Sequence, residues 1–120
     1  MPNHKNPKKK RLVRKAAKET VQNQGGSRRT GRIAARSAVQ TLKAMEGKSS
    51  RGRATTKDSQ MGYSFMGHVA GGLAADYAKK LGSSKNRTRK RLIGEIVGTG
   101  LASAGYFGNN GKKSKRNKRK

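Results

Sequence analysis

Apolar residues recur at helical spacing through the second half of the chain. Met66, Val69, Leu73 and Tyr77 stand at i, i+3, i+7 and i+11, with Phe65 beside them. That is one face of a helix running from about Met61 to Leu81. Asp58 or Ser59 can cap its start. Lys79 and Lys80 fall in its last turn, where cations suit the helix dipole, and Gly82 fits the position just past the end. A second stripe, Leu92, Ile93, Ile96, Val97, Leu101 and Ala104, predicts a helix that begins at Asn86 or Thr88 and frays around Gly105–Gly111. Joined at Gly82–Lys85, the two would form an αα-hairpin. Gly67, Gly71, Gly94, Gly98 and Gly105 each cost a helix about 1 kcal/mol relative to alanine. Their presence points to close backbone approach, expected here between the two arms of the hairpin.

The first half is patterned less sharply. Lys10–Gln22 has a helix-forming composition with Leu12, Val13, Ala16, Ala17 and Val21 apolar, and Gly25–Gly26 ends it. Thr30–Glu46 predicts a better helix, with Ala34, Ala38, Leu42 and Met45 on one face. Arg28, Arg29, Arg32 and Arg36 crowd its N-terminal end, where the dipole disfavours cations. Bound phosphates would relieve that conflict. Gly47–Lys57, rich in Ser, Gly, Thr and Arg, has the composition of a linker. The expected fold is therefore mostly α: a small helical hairpin flanked by disordered basic arms, with two further short helices in the N-terminal half. The expected segments are a basic arm with a short helix over 1–29, an Arg-rich helix over 30–46, a linker over 47–58, a Gly/Ala-rich helical hairpin over 59–108 and a basic tail over 109–120.

Composition weakens the case for a large core and strengthens the case for a polyanionic partner. Leu, Ile, Val and Phe number only 16 of 120 residues, and there is no Trp. That share lies under the roughly 20% below which a highly charged chain is expected to be disordered. Lys and Arg total 31 against 5 Asp and Glu, a formal net charge of +26. Solubility asks for a net charge of only about 2–8, so the excess requires a counter-charge such as DNA, RNA or an anionic lipid surface. The charge is also unevenly placed. Residues 61–78 and 92–111 contain no Lys or Arg, and between them lies the basic bridge Lys79–Arg91. Cysteine is absent, which removes disulfides and thiolate metal sites. No apolar run of signal-peptide length follows the basic N-terminus.

Three basic motifs stand out. Pro7–Lys15 reads PKKKRLVRK and resembles the short lysine-rich nuclear import signals of eukaryotic and viral proteins. Arg28–Arg36 and Lys85–Arg91 are Arg-rich, and Arg is the better residue for bidentate phosphate recognition. Neither has interleaved aromatics, so base stacking of the single-strand-binding kind is poorly supported and phosphate contact without sequence preference is expected. The expected nucleic-acid contacts are Lys8, Lys9, Lys10, Arg11, Arg14 and Lys15 in the arm; Arg28, Arg29, Arg32 and Arg36 in the Arg-rich helix; Arg51 and Arg53 in the linker; Lys85, Arg87, Arg89, Lys90 and Arg91 in the bridge; and Lys112, Lys113, Lys115, Arg116, Lys118, Arg119 and Lys120 in the tail. The hairpin's apolar positions, Met66, Val69, Leu73, Tyr77, Ile93, Ile96, Val97 and Leu101, are expected to serve self-association.

Other chemistries find little support. His4 and His68 are isolated, and Glu19, Glu46, Asp58, Asp76 and Glu95 are scattered one per element. No metal-ligand spacing, nucleophile motif or cofactor motif is present, and neither enzymatic activity nor a cofactor is expected. Gly67–Gly72 lacks the following Lys-Ser/Thr of a phosphate-cradling loop. GxxxG occurs at Gly67–Gly71 and Gly94–Gly98, a pattern that lets membrane helices pack. Yet Leu92–Phe107 is too short to span and carries Glu95, and Tyr63–Ala78 includes His68 and Asp76.

In layout, a polybasic arm joined to a small self-association module, the chain resembles the short basic core or nucleocapsid proteins of viruses. That resemblance implies a minor internal virion protein that compacts nucleic acid by phosphate neutralisation, located in the virion, the nucleus or both, with the cytoplasm as a further setting. Its partners would be RNA or DNA, other copies of itself, or other virion or ribonucleoprotein components. Two alternatives stand beside it: a cellular RNA-binding structural protein of the ribosomal type, and a membrane-active protein using the Gly-rich helices.

Overall fold

A computed structural model of the chain describes residues 6–82 and 86–105. They form a mostly helical fold with four helices, α1 (Lys9–Asn23), α2 (Arg28–Glu46), α3 (Lys57–Leu81) and α4 (Asn86–Ser103). No strand forms among these residues. The expected boundaries hold to within a few positions, and local chemistry explains the adjustments. The Ser27 hydroxyl accepts from the Thr30 N–H at 3.1 Å, so α2 starts two residues before Thr30. Thr56 caps α3 in a reciprocal capping box with Ser59, drawing its start back to Lys57. Gly82 ends α3 with φ +64°, a left-handed conformation that a side chain would strain.

The helices alternate in direction along the chain but are not arranged around a simple ring. α1 packs on α2 and α3, α4 packs on α2 and α3, and α2 and α3 touch across the middle. Two of these contacts therefore join helices running the same way. Gly67 of α3 lies over Val13–Ala17 of α1, and Gly71 lies one turn further along both, over Ala17 and Thr20. On the other side, α2 and α4 advance together, with Ile33 near Lys90, Ser37 near Gly94 and Thr41 near Gly98.

The core explains how so few large apolar residues suffice. Of its nineteen buried hydrophobic residues, ten are alanine; Leu42, Met66, Ile93, Leu101, Val13, Val21 and Val97 supply the bulk. Small side chains bury little area each, at about 25 cal/mol per Å². They do allow helices to approach closely, and close packing recovers dispersion contacts. A count of Leu, Ile, Val and Phe alone misses this mode of packing.

Two expectations change. The short helix expected within 1–29 forms as α1, and it belongs to the shared core, where it buries Val13, Ala16, Ala17 and Val21. The hairpin is likewise not a separate unit. Its glycines Gly67 and Gly71 meet α1 rather than α4. Among the α4 glycines, Gly100 faces the α3 residue Leu73. The connection from α2 to α3 is also anchored. It includes a 3₁₀ turn over Gly47–Arg51, and Gly52–Ala54 pairs with Pro7–Lys9 through Lys9 N–H to Gly52 O at 3.0 Å and Ala54 N–H to Pro7 O at 2.9 Å. The tail over 109–120 lies outside the described residues.

Candidate nucleic-acid interface

Folding joins two basic clusters that lie about fifty residues apart in sequence. Arg29, Arg32 and Arg36, on successive turns of α2, face Arg87 and Lys90 of α4 across a cavity of about 460 Å³ floored by Ile33. The cavity continues along the same two helices as a groove. Its next section, about 490 Å³, adds Ser37, Gln40, Arg91, Gly94 and Glu95. The last, about 460 Å³, is lined by Thr41, Ala44, Gly98, Thr99 and Ala102 together with Ser37, Gln40, Gly94 and Glu95. The groove is thus cationic at the N-terminal ends of both helices; beyond, its lining residues are small and its exposed surface is mostly apolar.

The groove cations are exposed. Among the described residues none of Arg29, Arg32, Arg36, Arg87, Lys90 and Arg91 has a carboxylate within 4.0 Å; the ion pair found there joins Lys9 to Glu46. Six like charges beside two helix N-termini repel one another and the dipoles. An anion in the groove removes both penalties.

A second basic strip continues around α2. Lys18 of α1 meets Arg28 and Arg32 of α2 in a cleft of about 160 Å³ with Gln22 and Gly31. Further along, partial burial and then the charges of Lys43, Arg51 and Arg14 push the Lys10 ammonium below its ordinary value. Lys10, Arg14 and Lys18 recur every four residues, so they form one stripe on α1. Lys18 and Lys43 are absent from the residues expected from the sequence. The fourfold spacing from Lys10 was the signal for Lys18, and no basic run marks Lys43.

Other expected contacts are engaged inside the fold. Lys9 bonds Glu46 Oε1 at 3.0 Å and the Ser49 carbonyl at 3.1 Å, and stands 5.6 Å from the centre of the Tyr63 ring. The bond to Glu46 raises the Lys9 pKa, and burial followed by the Glu46 bond raises that of Tyr63. Arg53 donates to the Asn6 carbonyl at 2.8 Å, and Arg89 donates to the Gly82 carbonyl at the end of α3. Lys8, Arg11, Lys15 and Arg51 are exposed. The PKKKRLVRK run occupies the beginning of α1, with Val13 in the core. Lys85, Lys112, Lys113, Lys115, Arg116, Lys118, Arg119 and Lys120 lie outside the described residues.

The positions expected to mediate self-association are instead used within the chain. Met66, Ile93, Val97 and Leu101 are buried in its core, and Val69, Leu73 and Tyr77 pack against that core. Ile96 is half-buried. α1 and α2 supply the apolar partners that a lone hairpin would have had to find elsewhere. Among the described residues no helix is long and apolar enough to cross a membrane, and no three His, Cys, Asp or Glu residues cluster to hold a metal ion. No family model, curated protein or solved structure matches this chain.

Proposed function

We propose that this protein binds nucleic acid through its phosphates and acts as a structural, compacting component, without chemistry on its partner. The observation that carries the proposal is the convergence of Arg29, Arg32, Arg36, Arg87, Lys90 and Arg91 on one open groove, with no carboxylate paired to them among the described residues. The net charge of +26 supplies the long-range attraction, and the Lys10, Arg14 and Lys18 stripe extends the phosphate track around α2. In this role the protein is a packaging component of nucleocapsid type that neutralises and bridges its polymer, and it resides where that polymer resides.

The test is a salt titration of binding to labelled duplex DNA, single-stranded RNA and anionic vesicles, with the full chain and with Arg32→Ala/Arg36→Ala. Each phosphate contact contributes about 0.7–0.9 to the slope of log affinity against log salt. The double variant is therefore expected to bind nucleic acid less steeply by about 1.4–1.8 in that slope, while the basic segments common to both chains cancel in the comparison. An unchanged slope would remove the groove from the interface. Vesicle binding that survives high salt when nucleic-acid binding does not would overturn the proposal as a whole.

A further inference from the structure

The groove does not end where its cations end. Beyond Lys90 and Arg91 it is lined by Ser37, Gln40, Thr41, Gly94, Gly98 and Thr99, with Glu95 at the join between the two sections. A carboxylate there is out of place in a track for phosphates alone. It repels a phosphate, and no cation pairs with it within 4.0 Å among the described residues. The lining around it is small and mostly apolar in what it exposes, with Gln40, Thr41 and Thr99 as its polar groups, so it suits an uncharged, flat group that carries hydrogen-bonding atoms at its edge. The occupant of the adjoining section must be anionic. A nucleotide joins those two properties in one covalent unit.

We infer that the α2–α4 groove holds an unpaired nucleotide of a single strand, its phosphates among Arg32, Arg36, Arg87 and Lys90 and its base over Gly98 with an exocyclic amine toward Glu95. This rests on the phosphate-binding function proposed above. A duplex can lie against the arginines, but its bases are stacked and paired, and it cannot lower one between two helices. A single strand can splay a base out and have its edges read. Glu accepts from the N4 amine of cytosine, whereas uracil offers a carbonyl at that position. Gln40 is exposed and both donates and accepts. Thr41 already donates to the Ser37 carbonyl at 3.1 Å and keeps its acceptor capacity. Arginine planes at the rim can stack on a base, which compensates for the missing aromatics.

The glycines provide a clean test. A Cβ at Gly98 meets nothing within 4 Å. Gly98→Leu is thus accommodated by the helix, which it suits better than glycine, and its side chain fills the groove. Binding of oligocytidine, oligouridine and a mixed-sequence duplex is measured at matched salt by fluorescence anisotropy, with thermal melting of each variant alongside. The full chain is expected to prefer oligocytidine to oligouridine by about fivefold, the low end of a base-edge contact. Gly98→Leu is expected to lower both single-strand affinities severalfold while leaving the duplex unaffected. Glu95→Ala is expected to tighten oligouridine and duplex binding by removing a repulsive charge, and to abolish the preference for cytidine. If Gly98→Leu leaves the ratio of single-strand to duplex affinity unchanged, or Glu95→Ala shifts oligocytidine and oligouridine equally, the groove takes no base and the phosphate function stands alone. If the full chain binds neither single strand nor duplex at physiological salt, both proposals fall.

Discussion

Two pairs of helices in this molecule run side by side in the same direction, each with a GxxxG pair, and they meet in opposite ways. At α1–α3 the seam is closed. A Cβ at Gly67 would stand 2.3 Å from the Val13 carbonyl oxygen, and one at Gly71 would stand 2.5 Å from that of Ala17. At α2–α4 the seam is looser and opens toward Gly98. A Cβ at Gly94 would crowd the Ser37 hydroxyl at 3.2 Å, a side chain that can turn aside, and one turn on a Cβ at Gly98 would meet nothing. The motif permits close approach without compelling it; the opposing helix decides. α1 presents Ala16 and Ala17 and is drawn against α3. α2 and α4 carry arginines and lysines at the ends that approach each other, and their repulsion is lower across a groove than across a tight contact. The closed seam holds α1 against α3, and the looser one leaves a groove along α2 and α4.

The contrast is most directly broken at the closed seam. Gly67→Val is expected to destabilise the fold by about 3 kcal/mol, because the obstacle is α1 backbone, which cannot swing aside as a side chain can. Urea unfolding followed by circular dichroism measures it, and a loss below about 1 kcal/mol would show that α1 and α3 can part at little cost.

The next effect lies at Glu46, the groove's electrostatic opposite: a carboxylate shared by Lys9 and Tyr63 at the end of the molecule where charges are paired. Glu46→Ala is expected to cost about 1 kcal/mol, since the charge-assisted bond to Lys9 and the bond from Tyr63 are lost and a partly buried ammonium loses its partner. The same contact gives a pH dependence. Lys9 and Tyr63 both have pKa values raised in the folded state above 10.5 and 10.0. The folded state therefore holds these protons more tightly than the unfolded one, and stability present below about pH 10 falls as pH rises further. The difference in melting temperature between the full chain and Glu46→Ala is expected to shrink over that range. Lys10 and the other lysines titrate in both chains and cancel in that comparison.

Changes within the groove are no larger. Gly98→Ala is expected to raise stability by about 1 kcal/mol, the helix propensity difference with no clash to offset it. Arg32→Ala is expected to leave stability within about 0.5 kcal/mol of the full chain, as for an exposed residue with no structural partner. A loss of 2 kcal/mol or more at Arg32 would mean that the groove cations are structural after all, and that the two seams differ less than their geometry implies.

Most of the helices were legible from the sequence because their signals are local. The apolar stripe of Met66, Val69, Leu73 and Tyr77 gave α3, and Gly82 gave its end. Leu92, Ile93, Ile96, Val97 and Leu101 gave α4. Half of the candidate site was legible too: the runs around Arg28–Arg36 and Lys85–Arg91 announce themselves. Their union was not. Nothing in either run points across fifty intervening residues to the other, and nothing in the spacing of Gly67 and Gly71 names α1 rather than α4 as their partner. Lys9 shows the same limit in reverse. It sits in the densest basic run of the N-terminal half, yet Glu46, thirty-seven residues away, engages it.

The sequence by itself determined the excess of positive charge, the helical periods, the helix ends and the absence of cysteine chemistry, because each depends on neighbours within a few residues or on composition alone. Tertiary structure decided which apolar faces are spent in the core and which cations remain unpaired. It also decided which glycines touch a neighbouring helix and which leave a groove. Those outcomes depend on how four helices divide a small alanine-rich core among themselves, and that division is a property of all four packed together.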